Sequence, residues 1–275
     1  MRLAAAASRV VAPVLAGPAR RADWLGVTPC ALYLRTGGQP GVLAILTYDA
    51  LRLPCGVRLP VSSTEVPLDQ LVHRQQPCLV GDGAVVWDGQ AGSVVITVVR
   101  QWTPCRPPRR PAVAVNAHQV RDELPAPAAI GLDRDLLADL ARPGSDSGDR
   151  SVVDRLLGRG PGLTPSGDDV LAGFLIGAEA FGFDAGGVCR AVADFAPART
   201  TTLSSGLLWH ASRGECIDEV AALAAAISGR QSPGPALRRL FAVGHTSGVA
   251  LAWGLQAAAV RAMAMNRPSR SGAAA

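Results

Sequence analysis

The sequence predicts an α+β protein in which a β-rich N-terminal part precedes a mainly α-helical C-terminal part. With 275 residues, of which 48% are hydrophobic, the chain is long enough for one large core or two smaller ones. In the first part, short runs of Val, Ile and Leu alternate with Gly, Pro and Asp turns, which is typical of strands. From Leu132 onward, apolar residues recur at helical spacing. Strands and helices that are segregated along the chain indicate the α+β class.

The candidate strands are short and bounded by turn residues. The segment Gly-Gly-Gln-Pro-Gly at 37–41 would join the first two strands as a hairpin, and the prolines at 104, 107, 108 and 111 mark a stiff connector. The predicted strands are 31–35, 42–47, 83–87 and 94–100, with a weaker one at 113–116.

The candidate helices have apolar stripes and are joined by loops of a few residues. Gly173 and Gly177 lie four apart in one of them, and we expect them to allow close helix packing. The predicted helices are 132–141, 147–157, 168–181, 186–195, 200–212, 217–227, 235–242 and 247–264.

This reading gives four regions: a poorly ordered N-terminus at 1–20, a β-rich domain at 21–125, a helical domain with the motifs at 126–266, and a disordered tail at 267–275. The first 19 residues resemble a signal peptide only faintly, because Ser8 and Arg9 interrupt the apolar part. The apolar stretch 248–265 contains Gln256 and Arg261, so it falls short of the ~20 apolar residues of a membrane span.

The composition excludes several function classes. The chain has no lysine, which rules out a Walker A phosphate loop, pyridoxal-phosphate chemistry and a kinase of the protein-kinase type. The net charge of +5 comes from scattered arginines, and the small cluster at 106, 109 and 110 is interpreted as a solvated linker. The six cysteines form no CxxC pair and have no zinc-finger spacing. We therefore expect a cytoplasmic protein with reduced thiols that binds neither nucleic acid nor a membrane.

The first motif, GPGLTPSGDD at 160–169, is a tight loop that leads into an apolar helix. Ser166 and Asp169 have the spacing of a capping box, which explains one hydroxyl and one carboxylate. Consecutive helical residues point about 100° apart, so Asp168 is left for a substrate, a proton or a metal. The candidate residues of this motif are Gly162, Thr164, Ser166, Gly167, Asp168 and Asp169.

The second motif, RTTTLSSG at 199–206, has three threonines that are poor choices for helix stability alone. An arginine beside free backbone amides and hydroxyls makes a cradle for phosphate or carboxylate. The alternative is that Thr200 caps the helix and buried hydroxyls bond back to carbonyls. The candidate anion-binding residues are Arg199, Thr200, Thr201 and Ser204.

The third motif, GHTSG at 244–248, begins the last helix. Thr246 or Ser247 can cap that helix, and Gly248 follows them. His245 is a candidate general acid–base or a polar anchor for substrate, against the alternative of a structural loop histidine. If the three helix starts converge, they form a pocket for a small anionic substrate. Asp168 and Asp169 would also suit a divalent metal such as Mg²⁺.

The three motifs together resemble those of a known protein family. The segments GPGLTPSGDDVLAGFL, RTTTLSSGLLWHASRGE and GHTSGVALAWGL, in this order, resemble the signatures of the AllH-type family. The resemblance extends over most of the chain between about residues 150 and 260, and its GLTPSGDD core is highly specific. The N-terminal part is similar only in general character.

The resemblance implies a cytoplasmic subunit that acts with two other subunit types in allantoin and purine nitrogen use. That complex exchanges oxalurate and phosphate for oxamate and carbamoyl phosphate. Carbamoyl transfer needs a held phosphate, a polarised carbonyl and a positioned amide. Arg199 with Thr200 and Thr201 would hold the phosphate, and His245 would polarise the carbonyl. Asp168 or Asp169 would orient the amide. Two alternatives stay open: a stand-alone metal-dependent enzyme and a non-catalytic assembly subunit.

Overall fold

The computed structural model describes residues 1–72, 76–89, 92–109, 116–229 and 232–266. The chain divides into two compact units. The barrel unit has Met1–Arg106 and Thr200–Asp218, and the helical unit has the described residues of Pro107–Arg199 and those from Glu219 onward. The predicted α+β class, with strands first and helices after, is confirmed.

Eight strands form a closed barrel in the order β1-β5-β4-β3-β2-β6-β7-β8. The pairs β4–β5 and β1–β8 are parallel, and the latter closes the barrel; the other pairs are antiparallel. The strands are β1 (Arg2–Ser8), β2 (Arg20–Val27), β3 (Ala31–Arg35), β4 (Val42–Leu46), β5 (Gly56–Arg58), β6 (Cys78–Gly81), β7 (Ala84–Gly89) and β8 (Gly92–Trp102). A short helix α1 (Ala12–Ala16) follows β1.

The barrel interior is filled by aliphatic side chains of the strands, which explains why the strands read as Val, Ile and Leu runs. Every residue of β4 is buried, and Leu32, Leu34 and Ile96 are fully buried around it. Leu203, from the helix α7 (Thr202–Ala211), joins the same core. That helix therefore belongs to the barrel unit although it is far away in sequence.

The N-terminal segment differs from the expectation of poor order at residues 1–20. Arg2–Ser8 is strand β1, which pairs with both β5 and β8. The alternation of buried and exposed residues in β1 was hard to recognise from the sequence. Its buried positions include Ala5 and Ala7, and alanine has a low strand propensity. Tertiary packing in the closed barrel overrides that local preference.

The helical unit is built on two apolar helices, α5 (Ser166–Phe181) and α10 (Ser247–Met265), which pack along each other. The other helices of this unit are α2 (Ala117–Glu123), α3 (Arg134–Ala141), α4 (Asp146–Leu156), α6 (Gly186–Arg199), α8 (Asp218–Ile227, of which Asp218 counts with the barrel) and α9 (Pro233–Phe241). Helix α10 is long and apolar enough to cross a membrane, but 61% of its apolar window is buried inside the structure. That burial is expected of a central core helix.

Glycines let the two central helices approach closely. A Cβ added at Gly173 would lie 2.2 Å from the carbonyl oxygen of Leu251, and one at Gly254 would lie 2.1 Å from that of Val170. At Gly177 it would lie 2.5 Å from the Ala258 Cβ. The expectation that Gly173 and Gly177 permit close packing is confirmed.

All eight predicted helices are present, with ends that differ by a few residues. The sequence pattern did not predict the helices α1 and α2 or the strands β1, β2, β5 and β6. The weak strand proposed at 113–116 and the tail at 267–275 lie outside the described residues, except for Asn116, which precedes α2.

Candidate functional site

The loop before α5 is fixed by its own backbone. Gly158, Gly160 and Gly162 have φ values of +72°, +117° and +94°, a region that L side chains rarely adopt. The Gly167 amide donates to the Arg159 carbonyl at 2.9 Å, and the amides of Asp168 and Asp169 donate to the Pro165 carbonyl at 2.9 and 3.1 Å. These three amides of the first turn are used within the chain, which weakens the case for an anion at this helix start.

Ser166 is not the N-cap that the capping-box reading requires. Pro165 occupies the N-cap position, and Ser166 is the first residue of α5. The Ser166 hydroxyl instead donates to Thr246 Oγ1 at 3.4 Å. The reading failed because the proline, with its φ of −54°, already sets the direction in which the chain enters the helix. The first motif thus contacts the third motif directly.

The two adjacent aspartates have different surroundings. Asp168 is only 1% exposed, and its Oδ1 accepts a hydrogen bond from the Gly158 amide at 2.7 Å. That bond holds the glycine-rich loop against the start of α5. Asp168 therefore has a structural task, which the sequence analysis had assigned to Asp169.

The carboxyl group of Asp169 is the better candidate for a chemical role. It is 7% exposed, and its Oδ2 has no hydrogen-bond partner among the described residues. Burial raises the pKa of the Asp169 carboxyl to about 7; hydrogen bonds from Ser247 and Thr164 oppose the rise, and the Asp168 charge adds to it. A carboxyl with a pKa near neutrality can both accept and donate a proton at physiological pH.

The third motif, at the start of α10, contacts the first motif. Thr246 is the N-cap residue of α10, although its side chain makes no capping hydrogen bond. Ser247 Oγ lies 3.1 Å from Thr164 Oγ1, and both residues are half-buried. His245 is exposed and lies in the turn before the helix. Thr164, Ser166, Asp169, Thr246 and Ser247 therefore form one cluster in the helical unit, which we call the α5–α10 junction.

Three candidate glycines have structural explanations. A Cβ at Gly167 would lie 2.0 Å from the Leu156 carbonyl oxygen, and one at Gly248 would lie 1.8 Å from that of Leu240. Both positions therefore require glycine for packing against a neighbouring helix. Gly162 has open space around its Cβ position, and its positive φ accounts for the residue type.

The second motif is divided between the two units. Arg199 ends α6 in the helical unit, where its Nη1 lies 2.9 Å from Asp154 Oδ1. Thr201 caps α7 in the barrel unit by accepting a hydrogen bond from the Ser204 amide at 3.0 Å. The capping threonine is therefore Thr201, where the alternative reading had Thr200. Thr200 is half-buried and Ser204 is buried. The convergence of this motif with the other two stays a prediction.

The described side chains offer few ligands for a metal ion at Asp168 and Asp169. Among the described residues, no group of three or more His, Cys, Asp or Glu side chains is placed to hold a metal ion. Oδ1 of Asp168 already accepts a hydrogen bond from the Gly158 amide, and the assignment of Asp168 and Asp169 as metal ligands stays a prediction. A divalent cation at Asp169 would have to take most of its oxygen ligands from hydroxyls and water.

A cavity of about 360 Å³ in the helical unit does not coincide with the α5–α10 junction. Its lining includes Arg121, Arg134, Trp253 and Gln256, and none of the candidate residues, all of which lie in described parts of the chain, belongs to it. The cavity and the α5–α10 junction therefore lie in different parts of the helical unit. The perturbed carboxyl and its hydroxyl partners mark the junction as the candidate active site.

Comparison with known proteins fits the motif-based reading. No solved structure matches this chain. Residues 156–259, which include the three motifs and both helices of the α5–α10 junction up to Ala259, match a family model. The resemblance carried by the motifs is therefore confirmed: residues 156–259 match the family described as oxamate carbamoyltransferase subunit AllH.

Proposed function

We propose that this chain is a subunit of an oxamate carbamoyltransferase-like complex that converts oxalurate and phosphate to oxamate and carbamoyl phosphate. The single observation that carries the proposal is the buried Asp169, with an unpartnered carboxyl oxygen at the point where two family motifs meet. Buried carboxyl oxygens in folded proteins usually have a hydrogen-bond partner, so this oxygen is available to a bound substrate.

The reaction needs a proton at the site of bond cleavage. Phosphate oxygen attacks the carbamoyl carbon of oxalurate, the bond from that carbon to the oxamate nitrogen breaks, and this nitrogen takes up a proton. A carboxyl group with a pKa of about 7 is half protonated at neutral pH and suits a general acid for this step. We assign that role to Asp169, with Thr164 and Ser247 orienting its carboxyl group.

The remaining candidate residues are assigned by the family reaction. Arg199, Thr200 and Thr201 are proposed to bind phosphate, which for Arg199 requires exchange of its exposed ion pair with Asp154. Exposed ion pairs are worth only about 0–1 kcal/mol, so such an exchange is energetically easy. His245, which is exposed before α10, is proposed to polarise the carbamoyl carbonyl.

The test is formation of carbamoyl phosphate from oxalurate and phosphate by the purified chain, alone and mixed with its partner subunits. The proposal expects activity only in the mixture, and expects it to survive removal of divalent metal by a chelator. Activity of the chain alone that is lost with the chelator would instead establish the stand-alone metal-dependent enzyme. Full activity of the partners without this chain would overturn the proposal.

A further inference from the structure

The barrel unit brings together two cysteines that are far apart in sequence. Cys105 follows β8, Cys216 follows α7, and the two residues form an isolated antiparallel bridge. The Cys216 amide donates to the Cys105 carbonyl at 2.9 Å. Directly opposite residues of such a pair have Cα atoms about 5.5 Å apart, within the ~4.4–6.8 Å range of disulfides.

We propose that Cys105 and Cys216 form a redox-active dithiol, which closes to a disulfide by exchange with a low-molecular-weight disulfide such as oxidised glutathione. The proposal is independent of the proposed function, because none of the residues assigned to carbamoyl transfer takes part in it.

Cys105 is suited to be the attacking thiol. It is half-buried, whereas Cys216 is buried. A hydrogen bond from the Cys216 thiol lowers the pKa of Cys105, and this effect outweighs the opposing effects of burial and of Asp218. The Arg52 guanidinium, 3.1 Å from Asp218, also favours the thiolate. Thiol reactivity follows thiolate content and access; the lowered pKa of Cys105 favours the first, and its partial exposure favours the second.

An ionic network centred on the buried Glu215 links the two segments. Glu215, next to Cys216, accepts from Arg106, next to Cys105, at 2.9 Å. The same carboxylate lies 2.7 Å from Nδ1 of the buried His210. These contacts and the backbone bridge keep Cys105 and Cys216 opposite each other while their thiols are reduced.

The other cysteines are poorer candidates for exchange. Burial raises the pKa of the Cys55 and Cys78 thiols to about 12. Burial also raises the pKa of Cys189, which lies on α6 in the helical unit. Cys30 lies against the Thr28 hydroxyl, 3.6 Å from its oxygen. Sequence reasoning missed the pair because its members are separated by the excursion of the chain through the helical unit.

The exchange balances in two steps. The Cys105 thiolate attacks one sulfur of the small disulfide, forming a mixed disulfide and releasing one thiolate. The Cys216 thiolate then attacks Cys105 Sγ, which forms the protein disulfide and releases the second small thiol. The protein gives up two electrons and two protons, and the small disulfide is reduced to two thiols.

The test is oxidation of the full-length, folded chain with oxidised glutathione, followed by blocking of free thiols and non-reducing peptide mapping. The proposal expects a single cross-link between the peptides of Cys105 and Cys216, and loss of two of the six free thiols. It also expects a higher thermal unfolding midpoint that returns to the starting value on reduction.

Cys105→Ser should abolish both the cross-link and the shift in midpoint, and Cys189→Ser, which removes another half-buried cysteine, should preserve both. Cross-links spread over several cysteine pairs would overturn the proposal. So would glutathione that stays attached to Cys105 without any cross-link.

Discussion

Asp169→Asn removes the ionisable group of the α5–α10 junction while keeping its shape. The folded-state pKa of about 7 lies above the ordinary value of 3.8, so the folded protein binds a proton that the unfolded chain has lost between these values. The free energy of unfolding of the wild type therefore falls as the pH rises from about 4 to about 7. The free energy of unfolding of Asp169→Asn should not fall over this pH range. At pH 8 it should exceed that of the wild type by about 2–4 kcal/mol. Denaturant unfolding at pH 4 and pH 8 measures the difference.

The matched variant for that measurement is Asp168→Asn. Asp168 holds the Gly158 amide with a charge-assisted bond, so its replacement should destabilise the protein by about 1–2 kcal/mol at neutral pH. If Asp168→Asn stabilises the protein and Asp169→Asn destabilises it at pH 8, the roles assigned to the two carboxyls are reversed.

At the residue scale, the sequence predicted that Asp169 caps the helix and Asp168 faces a ligand, whereas in the structure Asp168 makes the bond that holds the loop. The spacing of Ser166 and Asp169 is that of a capping box, yet Pro165 takes the N-cap position. The deciding contact of Asp168 is with the amide of Gly158, and it depends on the fold of a loop with three glycines of positive φ. Local spacing cannot supply such a contact.

At the element scale, the α5–α10 crossing depends on glycine. Gly173→Ala would place a methyl group 2.2 Å from the Leu251 carbonyl oxygen, so the helices would have to separate. We expect a loss of about 2–4 kcal/mol, a typical cost for disturbing a packed core. The matched control is Gly148→Ala on the exposed first turn of α4, where the nearest atom, Ser145 Oγ, is 3.7 Å away. The control should be neutral or stabilising by about 0.5–1 kcal/mol. Equal effects of both variants on thermal unfolding would disprove the packing role.

The start of α7 gives a second prediction at this scale. Thr201→Ala removes the hydroxyl that caps the Ser204 amide and should cost about 1 kcal/mol of stability. Thr201→Ser keeps the cap and should stay near the wild type. Chemical denaturation of both variants checks this, and a stable alanine variant would show that the hydroxyl serves another purpose.

Helices were easier to predict than strands for a physical reason. Amphipathic or apolar periodicity over many residues marks α3 to α10, whereas strands such as β5 have only three residues. In β2 the sequence RRADWLGV has too few aliphatic residues to show alternation. These strands form because the closed barrel pairs both of their edges.

At the scale of the whole molecule, the division into units does not follow the order of the chain. The sequence suggested a β-rich domain at 21–125 and a helical domain at 126–266, but α7 packs on the barrel. A Cβ at Gly206 would lie 2.4 Å from Val42 Cγ1, and Leu203 is part of the barrel core. Contacts between residues so distant leave no signal in a local pattern.

The most direct test of the account is the pH profile of oxalurate phosphorolysis by the complete complex, with the wild-type chain and with Asp169→Asn. If Asp169 is the general acid, wild-type kcat/KM falls above a pH of about 7, where the carboxyl loses its proton. Asp169→Asn should lower kcat/KM by about 10²–10⁴-fold and lose this decline. Gly148→Ala should behave as the wild type does. An Asp169→Asn complex that keeps both the wild-type rate and the same decline would contradict the account.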